Sequence, residues 1–229
     1  MKQLKIFSDD RLNTQCAYCG EYPETRDHVP SKILLEKPFP ENLPVVPSCL
    51  KCNNGFSLDE EYFACLIECI ICGTTDLDKL SRERIVKVLK RKKKLKSRLD
   101  KAFISESGKT YFKIEAERFE NVILKLAYGH AKFENSETQF EEPVHIAFVP
   151  IETLTQEEQD SFFASYEMQK MPEIGSRAMQ NLIISEEGIP YNKWINVQDG
   201  IYQYSVLTTN INLQVRILIW NYLACEVVW

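Results

Sequence analysis

Two Cys-x-x-Cys pairs, Cys16-Ala-Tyr-Cys19 and Cys49-Leu-Lys-Cys52, constrain this chain more than any other feature. A two-residue gap lets both sulfurs of a pair reach one ion from a tight knuckle. Four such thiolates make the closed tetrahedral site of a structural zinc ion. Gly20 after the first knuckle and Asn53-Asn54-Gly55 after the second suit tight backbone turns. The stretch that the pairs bracket is rich in proline and poor in continuous apolar faces, so it needs a staple. The N-terminus, MKQLKIFSDDR, has no apolar stretch of the kind a secretory signal carries. Reduced thiols are therefore expected, and paired cysteines read as metal ligands before disulfides.

The chain has 229 residues, enough for one large domain or a small module joined to a medium one. Hydrophobic residues at 44% and charged residues at 27% exclude disorder. No apolar run approaches the ~20 residues of a membrane helix. A soluble, cytoplasmic protein without a membrane partner is expected. Charge is unevenly spread. Residues 82–101 hold 11 Lys/Arg against 2 Asp/Glu, a local +9, leaving −14 on the remainder of a chain whose net charge is −5. Uniform coating of nucleic acid is thereby excluded, while a local contact with a polyanion fits.

Hydropathy patterning divides the chain into three parts. Residues 10–65 are the cysteine-bearing module, residues 66–101 a basic helical connector, and residues 102–229 a C-terminal α+β domain with antiparallel strands. Ser57-Leu58-Asp59-Glu60 has the form of a capping box, followed by the apolar run YFACLIECII. Ile85, Leu89, Leu95 and Leu99 place one apolar face on a continuous basic helix of about 20 residues, ~30 Å long. Further on, strands are expected at Thr110–Ile114 and Val144–Val149, and helices at Arg118–Phe133 and Leu154–Tyr166. Asp199-Gly200 marks a tight two-residue hairpin turn, and LQVRILIWNYLACEVVW reads as strand.

Between the knuckles lies one of only three histidines. His28 follows Asp27 in Thr25-Arg26-Asp27-His28-Val29-Pro30, Asn42 opens a proline-interrupted strand, and Asn53 directly follows Cys52. These groups suit phosphodiester hydrolysis. A carboxylate (Asp27) and an amide oxygen (Asn53) are hard ligands for Mg²⁺ or another divalent ion, which keeps most of its waters and takes substrate phosphate. A neutral imidazole beside them can activate water. Asn42 is placed to hydrogen-bond near the histidine and fix its orientation.

The order Cys-x-x-Cys, Asp-His, Asn, Cys-x-x-Cys-Asn resembles the HNH endonuclease superfamily, also called ββα-metal or His-Me finger nucleases. It is most similar to the zinc-stapled subgroup that includes phage Holliday-junction resolvases. The resemblance covers roughly residues 16–63. It implies a β-hairpin that carries Asp-His and the middle Asn, followed by a helix with the last metal ligand. It further implies His28 as general base, Asp27 and Asn53 as Mg²⁺ ligands, and Asn42 as the residue that holds the hairpin. Cys16, Cys19, Cys49 and Cys52 would bind structural zinc. Asn53 and Asn54 form a doublet, of which adjacency to Cys52 favours Asn53. The segment after Pro30 lacks the Gly-rich turn that many members have, and Pro44 and Pro47 shorten the second strand. The implied function is metal-dependent endonucleolytic cleavage of DNA, in a setting of bacterial defence against phage.

Other residues carry less. Cys65, Cys69 and Cys72 lie on one helical stripe and read as small core residues rather than a second metal site. His130 and His145 read as structural. Asp59, Glu60 and Glu61 suit a helix N-terminus. Lys90, Arg91, Lys92, Lys93, Lys94 and Lys96 are candidate contacts to DNA phosphates. Two other readings stay open: a zinc-stapled nucleic-acid-binding module without catalysis, and a nuclease subunit that needs a partner such as an ATPase.

Overall fold

The computed structural model describes residues 13–41, 43–180, 183–184, 188, 190–191 and 193–229. It is a mixed α+β protein with antiparallel sheets. Strand β1 (Thr25–His28) pairs with β2 (Val45–Ser48), Asp27 opposite Val46 and His28 opposite Val45. A short helix, α1 (Leu50–Gly55), follows at once. Pro47 lacks an N–H, which is tolerated because this ribbon has only two strands and both are edges.

Helix α2 (Ser57–Ile71) starts with Phe56 at its N-cap position and no side-chain cap. The expected capping box at Ser57 therefore does not form; Ser57 is already inside the helix. Asp59 instead accepts from Arg118 Nε at 2.6 Å and from Asn121 Nδ2 at 2.6 Å. Tyr62 through Cys69 are all buried, so this helix is enclosed on most sides.

The basic stretch forms two helices, α3 (Glu83–Arg91) and α4 (Lys93–Ala102), separated at Lys92. The expected continuous helix of ~30 Å is corrected here. Ile85, Val88, Leu89 and Leu99 bury the apolar stripe. Position 92, seven residues beyond Ile85, would continue that stripe but is lysine. Its ammonium turns to Glu61, 2.6 Å away, and the backbone leaves helical geometry there.

A hairpin follows, β3 (Phe103–Glu106) with β4 (Lys109–Phe112), turning at Ser107-Gly108. Helix α5 (Ala116–Asn135) buries Phe119, Val122, Ile123, Leu126, Ala127 and Ala131. Next come β5 (His145–Pro150), α6 (Gln156–Phe163) and α7 (Arg177–Gln180), then the two-residue pair β6 (Ile183–Ile184) and β7 (Pro190–Tyr191). The chain ends in β8 (Ile195–Gln198), β9 (Tyr202–Thr208), β10 (Leu213–Ile219) and β11 (Leu223–Val228). With β5 these make a five-stranded antiparallel sheet in the order β5-β11-β10-β9-β8.

Two turns differ from expectation. The β8–β9 connection holds three residues, Asp199–Ile201, with Gly200 at φ +67° and a bulge at Asn196/Gln198. The C-terminal segment is two strands, not one, reversed at Trp220-Asn221, both in the left-handed region. Tryptophan is not a turn residue, so local propensity hides this hairpin. Its indole Nε1 donates to Leu34 O at 3.1 Å, a long-range bond that holds the turn.

The chain groups into two compact units. One comprises the described residues up to Gly55 with Ile123–Trp229; the other is Phe56–Val122. By sequence the divisions fall after residues 65 and 101. Compactness shifts them because the second half of α5 packs with the C-terminal sheet. There His130 stacks on Tyr204 with ring centroids 3.7 Å apart, and its Nε2 lies 2.7 Å from the Tyr202 hydroxyl. Tyr204 donates to Glu134 at 2.6 Å. The opposite side of the sheet packs Leu218 and Ala224 against Phe162 of α6. No described helix is long and apolar enough to cross a membrane.

His130 is fully buried, and burial pushes its imidazole well below the ordinary histidine value. The folded state therefore leaves it neutral where the unfolded chain takes up a proton, below about pH 6.5. Unfolding free energy should fall as pH drops from about 6.5, by up to about 1.4 kcal/mol per pH unit for this group. Glu134, whose carboxyl burial raises, works the other way nearer the carboxylate range. Urea unfolding of His130→Phe across this window should show most of the slope removed. An unchanged slope would contradict the assignment.

Candidate functional site

The four knuckle cysteines converge. Their Sγ atoms all lie within 4.8 Å of one another, with Cys19 and Cys49 at 3.7 Å. A tetrahedral zinc with Zn–S of about 2.3 Å needs sulfurs about 3.8 Å apart, so the donor set fits the ion in chemistry and spacing. Each knuckle also turns a backbone N–H toward a sulfur, Tyr18 N to Cys16 Sγ at 3.5 Å and Cys52 N to Cys49 Sγ at 3.4 Å. For Cys16, burial raises the thiol, but bonds from the Cys49, Tyr18 and Cys19 backbone outweigh it and lower it overall, whereas burial first pushes the Cys19 and Cys52 thiols up in the absence of an ion. Ala17 N donates to Pro47 O at 2.9 Å and so joins the first knuckle to β2. Among the described residues this is the only gathering of three or more His, Cys, Asp or Glu ligand atoms. Cys65 and Cys69 are core residues, their thiols pushed up to about 12 by burial first.

Strand β1 carries the acid–imidazole pair. Asp27 is buried. Its Oδ2 accepts from the Tyr18 hydroxyl at 2.8 Å and pairs with Lys125 Nζ at 2.7 Å. Tyr18 sits between the two cysteines of the first knuckle, so the zinc site and the carboxylate are linked through one side chain. Residues of β1 alternate in direction. His28 is half-buried at the strand's end. Burial first, then the Lys32 ammonium, lower its basicity below the ordinary histidine value, against the opposing pull of Asp27. The imidazole is therefore neutral at neutral pH, the form that can take a proton.

Helix α1 brings Asn53 to the same strand. Its backbone N–H donates to Cys49 O at 3.0 Å. The side-chain Nδ2 donates to Thr25 Oγ1 at 3.0 Å and Arg26 O at 3.4 Å. That orientation leaves the amide Oδ1 as the donor atom for a cation. Asp27 likewise keeps Oδ1 outside its pair with Lys125. One carboxylate oxygen and one amide oxygen are hard donors of the kind Mg²⁺ accepts while it keeps waters. Asn42 lies outside the described residues. The N-terminus of α1 is satisfied from a distance, because Leu50 N donates to Glu24 Oε2 at 2.9 Å.

The cationic residues divide in two. Lys92 and Lys96 are partly buried and paired, with Glu61 and Asp100. Lys90, Arg91, Lys93 and Lys94 are exposed. Arg91, Lys93 and Lys94 line an open hollow of about 660 Å³ in the unit Phe56–Val122. His145 is exposed, 4.0 Å from Glu226, and His130 belongs to the core described above. Three residues of the site escaped the sequence reading: Tyr18, Ser31 and Lys125. Lys125 had a readable signal. It stands among Val122, Ile123, Leu126 and Ala127 on an apolar helix face, where a cation requires a buried partner.

No family model, curated protein or solved structure matches this chain.

Purified protein should hold one zinc per chain. X-ray absorption at the zinc edge should show four sulfurs at about 2.3 Å. Cys49→Ser should lose the metal and several kcal/mol of stability or soluble expression, since the four sulfurs join the two ends of the loop that carries β1 and β2. A fully folded, zinc-free protein would refute the site.

Proposed function

We propose that this chain is a metal-dependent endonuclease of the HNH type that hydrolyses DNA phosphodiester bonds, acting in bacterial defence against phage. One observation carries the reading. An aspartate–histidine pair on β1 and an asparagine amide bonded to the Thr25 hydroxyl and the Arg26 carbonyl of the same strand are joined to a four-cysteine knot that fits zinc.

In this reading His28 accepts a proton from the attacking water as its oxygen bonds to phosphorus. The bond from phosphorus to the 3′-oxygen breaks, leaving a 5′-phosphate and a 3′-hydroxyl that takes its proton from solvent. Asp27 and Asn53 would hold the divalent ion through their Oδ1 atoms. When bound, such an ion supplies Lewis-acid stabilisation of charge on the phosphoryl and leaving oxygens. Tyr18 keeps Asp27 aligned through its hydroxyl. Exposed Lys90, Arg91, Lys93 and Lys94 would meet phosphates, which set affinity without reading sequence. Lys92 and Lys96 contribute less, because their charges are partnered.

A second reading is favoured by one feature. Lys125 already neutralises Asp27, the carboxylate that the hydrolytic reading assigns to the ion. A zinc-stapled nucleic-acid-binding module without catalysis would tolerate that pair.

Supercoiled plasmid separates the two. His28→Ala should keep its zinc and its DNA affinity while Mg²⁺-dependent nicking falls on the order of 10²–10⁴-fold. If His28→Ala nicks at the wild-type rate, or wild type does not nick at all, the hydrolytic reading fails.

A further inference from the structure

The hydrolytic reading gives Asp27 to a cation, yet a cation of the protein is already there. Lys125 Nζ lies 2.7 Å from Asp27 Oδ2 and donates to Ser31 Oγ at 2.8 Å. The side chain is 1% exposed. It comes from the middle of α5, far along the chain, and the pair lies within one compact unit. A buried ammonium is costly unless an anion and a hydrogen-bond acceptor stand beside it, and both do. It is too enclosed to touch the phosphates of a duplex. Whatever it does for chemistry, it does through Asp27.

The local charge count follows. Asp27 contributes −1, Lys125 cancels it, and Asn53 adds an uncharged amide. Asp27, Lys125 and Asn53 together thus offer a divalent ion at the two Oδ1 atoms no net negative charge. Hard cations depend on ligand charge for affinity. The missing anion has an obvious source, the phosphodiester of a nucleic acid in the site. Lys125 also fixes which carboxylate oxygen faces the ion, since it and Tyr18 both hold Oδ2.

Resting on the hydrolytic reading, we propose that Lys125 is a positioning residue that neutralises Asp27 and makes divalent-ion binding conditional on the phosphate of bound nucleic acid. Metal and nucleic acid then bind with positive coupling, and the coupling is reciprocal. The free protein carries little metal at this site, and the ion arrives with its substrate. Removing the ammonium should restore affinity to the free protein and reduce the dependence on nucleic acid.

Mn²⁺ binding tests this without any turnover. Free Mn²⁺ is followed by electron paramagnetic resonance, with protein alone and with a phosphorothioate duplex that resists cleavage. Asp27→Asn provides the baseline for Mn²⁺ held by the duplex itself. Wild type alone should bind weakly, and the duplex should tighten Mn²⁺ on the order of tenfold or more, within the usual range of coupling between sites. Lys125→Met, which keeps bulk and removes charge, should bind Mn²⁺ about tenfold tighter than wild type without the duplex, and gain less from it. Zinc content confirms that the variant is folded. Equal Mn²⁺ affinity in wild type and Lys125→Met, lost in Asp27→Asn, overturns the inference and leaves the hydrolytic reading standing. No specific Mn²⁺ under any condition overturns both. Should Lys125→Met not fold, wild type alone decides: a duplex that fails to tighten Mn²⁺ refutes the coupling.

Discussion

Four cysteine sulfurs converge on a point between two knuckles that 29 residues separate, and the geometry around them follows from that closure. The local alternatives are weak. β1 and β2 have four residues each, and β2 contains a proline. Such a ribbon is at best marginal in water. An ion that gathers Cys16, Cys19, Cys49 and Cys52 closes the loop that carries both strands and starts α1 at the second knuckle. It thereby sets Asn53 on the edge of β1 and Tyr18 on Asp27. Metal binding and folding of this module are then one event.

The loop between the strands is held from the other direction. Gly129 of α5 lies so close to Val29 that an added Cβ would come within 2.5 Å of Val29 Cγ2. Only glycine permits that approach, one residue from His28. Gln198 at the end of β8 exchanges two hydrogen bonds with the Glu36 backbone, at 2.9 Å each, and Trp220 reaches Leu34 O. Lys125 reaches Asp27 and Ser31. The C-terminal sheet and the second half of α5 are therefore part of the site's support. That gives residues 123–229 a physical role beside any partner they engage.

Local chemistry was legible in the sequence, and distance was not. Both knuckles could be read because two-residue spacing encodes sulfur geometry directly. Helix α5 could be read because its apolar residues repeat at helical spacing. The break at Lys92 could have been read, since it is the one position of the stripe filled by a lysine. The hairpin at Trp220-Asn221 was hidden because Trp220, beside the turn-former Asn221, is not a turn residue, and its indole's bond to Leu34 is long-range. The same holds for Lys125. Its place on an apolar helix face announced a buried counter-ion, but nothing local identified Asp27, 98 positions earlier, as that ion.

If a zinc ion in the four-cysteine knot holds the β1–β2 hairpin, the hairpin must loosen when the ion leaves while the five-stranded sheet persists. Amide hydrogen exchange of the zinc-loaded and chelator-stripped protein reads this directly. Val29 N–H, bonded to Pro44 O, and Asn53 N–H, bonded to Cys49 O, report on the hairpin and on α1. Amides of β10, paired on both sides, report on the sheet. Removal of zinc should abolish protection at Val29 and Asn53 and leave β10 protected. Unchanged protection at Val29 and Asn53 in the stripped protein would contradict the account.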